Sequence, residues 1–151
     1  MSDAKIDGYS GKPLWQKLGL KPGLRIRVEN APRDYSAMVG LTSTGLDLVG
    51  PRAAFDLVHL FATTDRELEA SIARLSNTLP ADGAFWVSWP KKSSRVVTDI
   101  TEDTIRRLAL PRGLVDIKVC AVDAIWSGLK LVWRKQLRAG KPDSSFRGTK
   151  P

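Results

Sequence analysis

The chain has 151 residues, 42% hydrophobic and 26% charged, which suits one domain with a single core and is too short for two. Its one cysteine, Cys120, excludes an intramolecular disulfide, and there is no Cys or His cluster to ligate a metal. No apolar run is long enough to span a bilayer, and the opening MSDAKIDGYSGK lacks the apolar stretch of a secretory signal, so the expectation is a soluble cytoplasmic protein with no membrane partner.

In chain order, residues 1–12 read as a flexible lead. Pro13 then opens a short amphipathic helix in PLWQKLGL, with Leu14, Trp15, Leu18 and Leu20 apolar. LRIRVENA (24–31) alternates Leu24, Ile26 and Val28 with Arg25, Arg27 and Glu29, the period of a half-buried strand. Pro32 begins a second short helix that Gly40 stops. GLDLVG (45–50) is a short strand, and FDLVHLFAT (55–63), apolar on both faces, is a central strand covered on each side. TDRELEASIARLSNTL (64–79) is the strongest helix, with Thr64 and Glu67 spaced as a capping box. AFWVSW (84–89) is a strand, and Thr101 caps a helix in EDTIRRLAL. LVDIKVCAV (114–122) and GLKLVWRKQ (128–136) are joined by a link too short for a crossover helix, so they form an antiparallel hairpin.

This alternation predicts a single three-layer, Rossmann-like α/β domain over 13–136, with a mainly parallel sheet of about six strands and a C-terminal antiparallel hairpin. Residues 137–151 read as a basic, disordered tail. The net charge of +8 is concentrated near it, since residues 134–151 carry six basic side chains and one acidic.

The stretches KLGLKPGLRIRVENAP, FDLVHLFATT and LPADGAFWVSWPK, followed by the hairpin, resemble the class I S-adenosylmethionine-dependent methyltransferase fold in their element order. GYSGKPLWQKLGLKPG, WVSWPKK, TDITED and GLVDIKVCAVDAIWSGLKLVWRK resemble a family of small bacterial proteins of unknown function (domain of unknown function 3052), over roughly residues 8–136. The resemblance implies a shortened methyltransferase-like fold. The cofactor pattern departs from it. Glu29-Asn30-Ala31-Pro32-Arg33 stands where that fold has a glycine-rich turn, Arg52 stands near the end of the second strand instead of an acid, and Ala62-Thr63-Thr64-Asp65 follows the central strand.

Ligands of open parallel sheets bind beyond the carboxyl ends of the strands, where strand order reverses. The residues delivered there are Asn30 and Arg33, Thr63, then Trp89, Lys91, Lys92 and Ser94, with Asp123 and Trp126 from the hairpin turn. Cationic side chains beside a helix N-terminus suit an anion, with the tryptophans as apolar walls. His59, the only histidine, lies mid-strand and reads as a core imidazole, and Cys120 reads as a small buried hydrophobe. No nucleophile motif or close carboxylate pair is visible. The expectation is a non-catalytic binding module, without a cofactor, for an anionic small molecule or an acidic protein partner. The alternatives are a divergent S-adenosylmethionine-dependent methyltransferase and non-specific nucleic-acid binding through the basic tail.

Overall fold

The computed structural model describes residues 12–40 and 47–141. The expected flexible lead (apart from Lys12) and most of the expected tail, residues 142–151, lie outside the described residues. In chain order the elements are α1 (Leu14–Leu18), β1 (Arg25–Glu29), α2 (Tyr35–Val39), β2 (Asp47–Leu48), β3 (Leu57–Phe61), α3 (Asp65–Ser76), β4 (Ala84–Pro90), α4 (Glu102–Ala109), β5 (Leu114–Ala121) and β6 (Trp126–Trp133). Short 3-10 turns follow β4 (Lys92–Ser94), α4 (Leu110–Arg112) and β6 (Lys135–Gly140).

The strands form one mixed sheet in the order β2-β1-β3-β4-β6-β5. The first four are mutually parallel, and β6 runs antiparallel to both of its neighbours. The chain leaves β1 outward to β2 and returns to β3 on the other side, so strand order reverses between β1 and β3. The last strand is thus interior, and β5 forms the edge. A bulge between Asp116 and Lys118 interrupts the pairing of β5 with β6.

The sequence of β3 explains its place. All five residues LVHLF are buried because both faces are covered. Val58 and Leu60 point into one core with Leu68, Ile72 and Leu75 of α3 and Ile105 and Leu108 of α4. Leu57 and Phe61 point into the other with Leu14 and Leu18 of α1 and Tyr35 and Val39 of α2.

Tryptophans fasten helices to the sheet. Trp86 is fully buried, and its Nε1 donates to the Leu18 carbonyl at 2.9 Å, one of the acceptors that α1 leaves open at its end. Trp133 Nε1 donates to the Leu79 carbonyl at 3.0 Å, just beyond α3. Gly128, paired with Ser88 across β4 and β6, leaves room for the Trp86 ring, which a Cβ there would approach to 3.4 Å.

Several boundaries differ from the periodicity. α3 ends at Ser76, because Thr78 and Leu79 close tighter turns onto Leu75 and Ser76 before Pro80. β6 ends at Trp133. Residues 135–140 turn back on it, with Arg138 Nε donating to the Trp133 carbonyl at 3.1 Å and Lys141 Nζ lying 3.8 Å from a Trp133 ring centroid.

Candidate functional site

Asn30 ends β1 and ties it to the sheet's switch point. Its backbone is left-handed, φ 59°, a conformation that glycine and asparagine tolerate best. Its Nδ2 donates to the Phe61 carbonyl at 3.1 Å and to Glu67 Oε2 at 3.3 Å. Glu67 Oε1 accepts the Thr63 N–H at 3.1 Å. The expected cap is therefore half made: Thr64 Oγ1 accepts the Glu67 N–H, while the Glu67 carboxylate serves the two strand ends. Beside it, Glu29 pairs with Arg27 and Arg74. Partial burial alone would raise the Glu29 pKa, but the two guanidiniums outweigh it and hold the group below the usual carboxylate range.

The end of β4 gathers six of the expected residues. The Lys91 N–H donates to the Ile125 carbonyl at 2.8 Å, fixing the hairpin turn against β4. Asp123 Oδ1 accepts from the N–H groups of Ile125 and Trp126, both at 2.8 Å, and the Trp126 ring meets Phe61 edge-on at 5.0 Å. Ser94 Oγ donates to the Lys91 carbonyl at 2.6 Å and accepts the Val96 N–H at 3.2 Å. Thr98 Oγ1 donates to the Thr63 carbonyl at 2.6 Å, joining this loop to β3. Asp123 and Ser94 are thus engaged in building their own turns. Arg33 stands exposed in the turn into α2, whose side chains pack on the opposite face of the sheet from α4. The side chains of Lys91 and Lys92 make no hydrogen bond or ion pair with the described residues.

A cavity of about 410 Å³ opens beside Trp89, Pro90 and Ile100, with Lys92, Glu102 and Asp103 at its mouth. Arg106 lines it and binds three carboxylates: Nε to Asp116 at 3.0 Å, Nη2 to Glu102 at 2.9 Å and Nη1 to Asp103 at 3.2 Å. Hydrogen bonds to Asp116 and Glu102 raise its pKa further. The charged side chains that line the cavity, Lys92 and Arg106 against Glu102 and Asp103, balance one another. Sequence reasoning took Glu102 and Asp103 as first-turn acids of the helix. Their spacing of four and three residues to Arg106 was the available signal.

In the core, Tyr35, His59 and Ser88 form a chain: Tyr35 Oη lies 2.9 Å from His59 Nδ1, and His59 Nε2 lies 2.7 Å from Ser88 Oγ. His59 also stacks on Phe61 at 4.4 Å. Burial lowers the His59 pKa to about 3 and raises that of Tyr35. His59 and Ser88 have no solvent exposure, so the trio holds α2 to the sheet and meets no substrate. Among the described residues no group of three or more His, Cys, Asp or Glu can hold a metal, and no helix is long and apolar enough to cross a membrane.

No family model matches the chain, so the likeness to domain of unknown function 3052 gains no support, and no curated protein matches it. Solved structures do. TrmN from Thermus thermophilus is similar over 80% of this chain and 47% of its own, at 11% identity and a TM-score of 0.57. A SAM-dependent methyltransferase from Aquifex aeolicus is similar over 78% of this chain and 86% of its own, at 13% identity and TM-score 0.55. Precorrin-6y C5,15-methyltransferase from Geobacter metallireducens GS-15 is similar over 81% and 85%, at 12% identity and TM-score 0.55. The chain thus spans about half the length of TrmN and most of the other two. At such identities the likeness is one of architecture: the chain has a class I S-adenosylmethionine-dependent methyltransferase-like α/β fold, built on a six-stranded mixed sheet.

Proposed function

We propose that the chain is a divergent S-adenosylmethionine-dependent methyltransferase that takes its cofactor between the ends of β1 and β3. The observation that carries the reading is Asn30. It occupies the turn where this fold's members place glycine, and it holds the left-handed backbone that glycine supplies. Around it stand polar groups suited to an adenosyl nucleoside: the Thr63 N–H and the Glu67 carboxylate, an acceptor for hydroxyl donors. When bound, the cofactor supplies a sulfonium-activated methyl group. The chain's own residues need only orient it and exclude water, because methyl transfer depends on alignment more than on a proton relay.

Entry requires the exposed Asn30–Glu67 hydrogen bond to open, at a cost of about 0.5–1.5 kcal/mol. Asn30→Gly removes that bond and keeps the turn. Calorimetry with S-adenosylhomocysteine should therefore show the variant binding up to about tenfold more tightly than the natural chain. If neither protein releases heat at millimolar ligand, the reading fails.

A second reading is a non-catalytic module for an anionic small molecule or an acidic partner. It is favoured by the unpaired side chains of Lys91 and Lys92 at the end of β4, where Trp89 and Trp126 supply apolar surface. In that case Lys91→Ala/Lys92→Ala abolishes the thermal shift produced by anionic ligands and leaves any response to S-adenosylhomocysteine in place.

A further inference from the structure

The bulge in β5 re-aims one side chain. Asp116, opposite Leu131, faces α4 and binds Arg106 there. In an unbroken strand Lys118, two residues on, would share that face. The bulge takes up Ile117 and turns Lys118 to the face of α1, directly opposite Lys130. Like charges opposed in this way, roughly 5 Å apart at Cβ, work against a sheet. Bulges that re-aim a side chain at such a cost gather at functional sites.

The two lysines are held differently. Lys118 Nζ donates to the Lys17 carbonyl at 3.1 Å, near the end of α1, and Lys17 Nζ donates to the Ala121 carbonyl at 2.8 Å. Both charges are thus fixed beside the hairpin. Lys130 is half-buried, stands in register between Trp86 of β4 and Lys118 of β5, and makes no hydrogen bond or ion pair with the described residues. Burial holds its pKa below the usual lysine value, and the Lys118 charge adds to the effect.

Lys130 also lines a cavity of about 190 Å³ below the end of α1. This is the end of the sheet at which β3 and β4 begin, opposite the proposed cofactor cleft. Leu18, Leu57 and Ala84 give the cavity apolar walls. Its other charged groups are Lys21, Asp56 and Asp82, and Asp56 already accepts the Arg25 N–H at 2.8 Å. Two cations and two anions line it, so the hollow suits a small neutral guest better than an anion. A lysine shielded from water beside a second cation carries a larger share of the neutral, nucleophilic amine.

We propose that Lys130 is a carbonyl-reactive nucleophile that takes a small neutral aldehyde or ketone in this cavity as a Schiff base. The unprotonated Nζ attacks the carbonyl carbon, and the N–C bond forms as the C=O π pair moves to oxygen. Proton transfer from nitrogen to oxygen gives a carbinolamine, which expels water as the C=N bond forms. The step consumes no oxidant or reductant. It is independent of methyl transfer and of the anionic-ligand reading.

Reductive trapping of the full chain with acetaldehyde and sodium cyanoborohydride at pH 7, read by peptide mass spectrometry, tests it. Lys130 should gain its ethyl group severalfold faster than exposed Lys92 and Lys135, and Lys130→Arg should remove the fast phase. Lys118→Gln keeps a donor for the Lys17 carbonyl and removes the charge. Lys130 should then label more slowly and reach its half-maximal rate at higher pH. With naphthaldehyde the preference for Lys130 should vanish, since two fused rings overfill the cavity. Labelling of Lys130 no faster than that of Lys92 and Lys135 overturns the proposal. So does a rate and pH profile that Lys118→Gln leaves unchanged, or a preference of the same size with naphthaldehyde.

Discussion

His59 makes stability depend on pH over a window that little else in the chain shares. Its imidazole is fully buried between Tyr35 and Ser88, and its pKa falls to about 3 against about 6.5 in an unfolded chain. The unfolded state therefore binds a proton that the folded state refuses, and stability falls with acidification. The full contribution is present above pH 6.5, is lost as pH drops, and is gone near the folded pKa. The loss is about 2 kcal/mol at pH 5 and about 3 kcal/mol at pH 4, a large share of the 5–15 kcal/mol typical of a domain. Glu29, whose pKa is also lowered, adds its own loss only below the ordinary carboxylate range, so the interval from pH 5 to 7 belongs to His59. Urea unfolding should show the midpoint dropping by about 1 M between pH 7 and pH 5. The comparison is Tyr35→Phe/His59→Met/Ser88→Ala, which removes the imidazole together with both partners and orphans no polar atom. Its midpoint should be flat over the same interval. Because the chain has one histidine, its imidazole proton resonance is unambiguous in NMR. A titration of that resonance near pH 6.5 in the folded protein would refute the reasoning, as would equal pH slopes in the two proteins.

Other outcomes follow from single contacts. Trp86→Phe keeps the apolar body but leaves the Leu18 carbonyl without its donor, so thermal unfolding should show a loss of about 1–3 kcal/mol and α1 should exchange its amides faster. Gly113→Ala sets a Cβ at φ 92° and 2.3 Å from Leu137 Cδ1. A stability loss of about 1–2 kcal/mol from the backbone alone is expected, with the 135–140 turn displaced, and denaturant unfolding of this variant and of Gly113→Ala/Leu137→Ala separates the two causes. Tyr35→Phe alone strips His59 Nδ1 of its partner and should cost about 1–3 kcal/mol at pH 7, measurable by the same unfolding curves.

The sequence carried the sheet and its helices well wherever one physical cause dominated. Five apolar-packed residues in β3, the Thr101 cap of α4 and a link too short for a helix between β5 and β6 each have one structural solution, and each is found. The burial of His59 was equally legible, since a mid-strand position between Val58 and Leu60 leaves it no route to water. Features that depend on contacts between distant segments were not. Nothing in ENAP announces that Asn30 turns left-handed and bridges to Phe61 and Glu67, because the partners lie 31 and 37 residues away. The carboxylate cluster on Arg106 escaped for the same reason: Asp116 joins Glu102 and Asp103 there only once β5 lies beside α4. The bulge at β5 hides within an alternation, DIKVC, that reads as unbroken strand.

The interior seat of β6 has a consequence for how the chain matures. Translation delivers this strand after the other helices and strands of the described residues, yet it lies between β4 and β5 and satisfies the backbone of both. Until β6 emerges, the nascent sheet ends in an open flank of β4, the kind of edge that recruits holding chaperones or seeds aggregation. A chain cut short before the hairpin keeps that flank open.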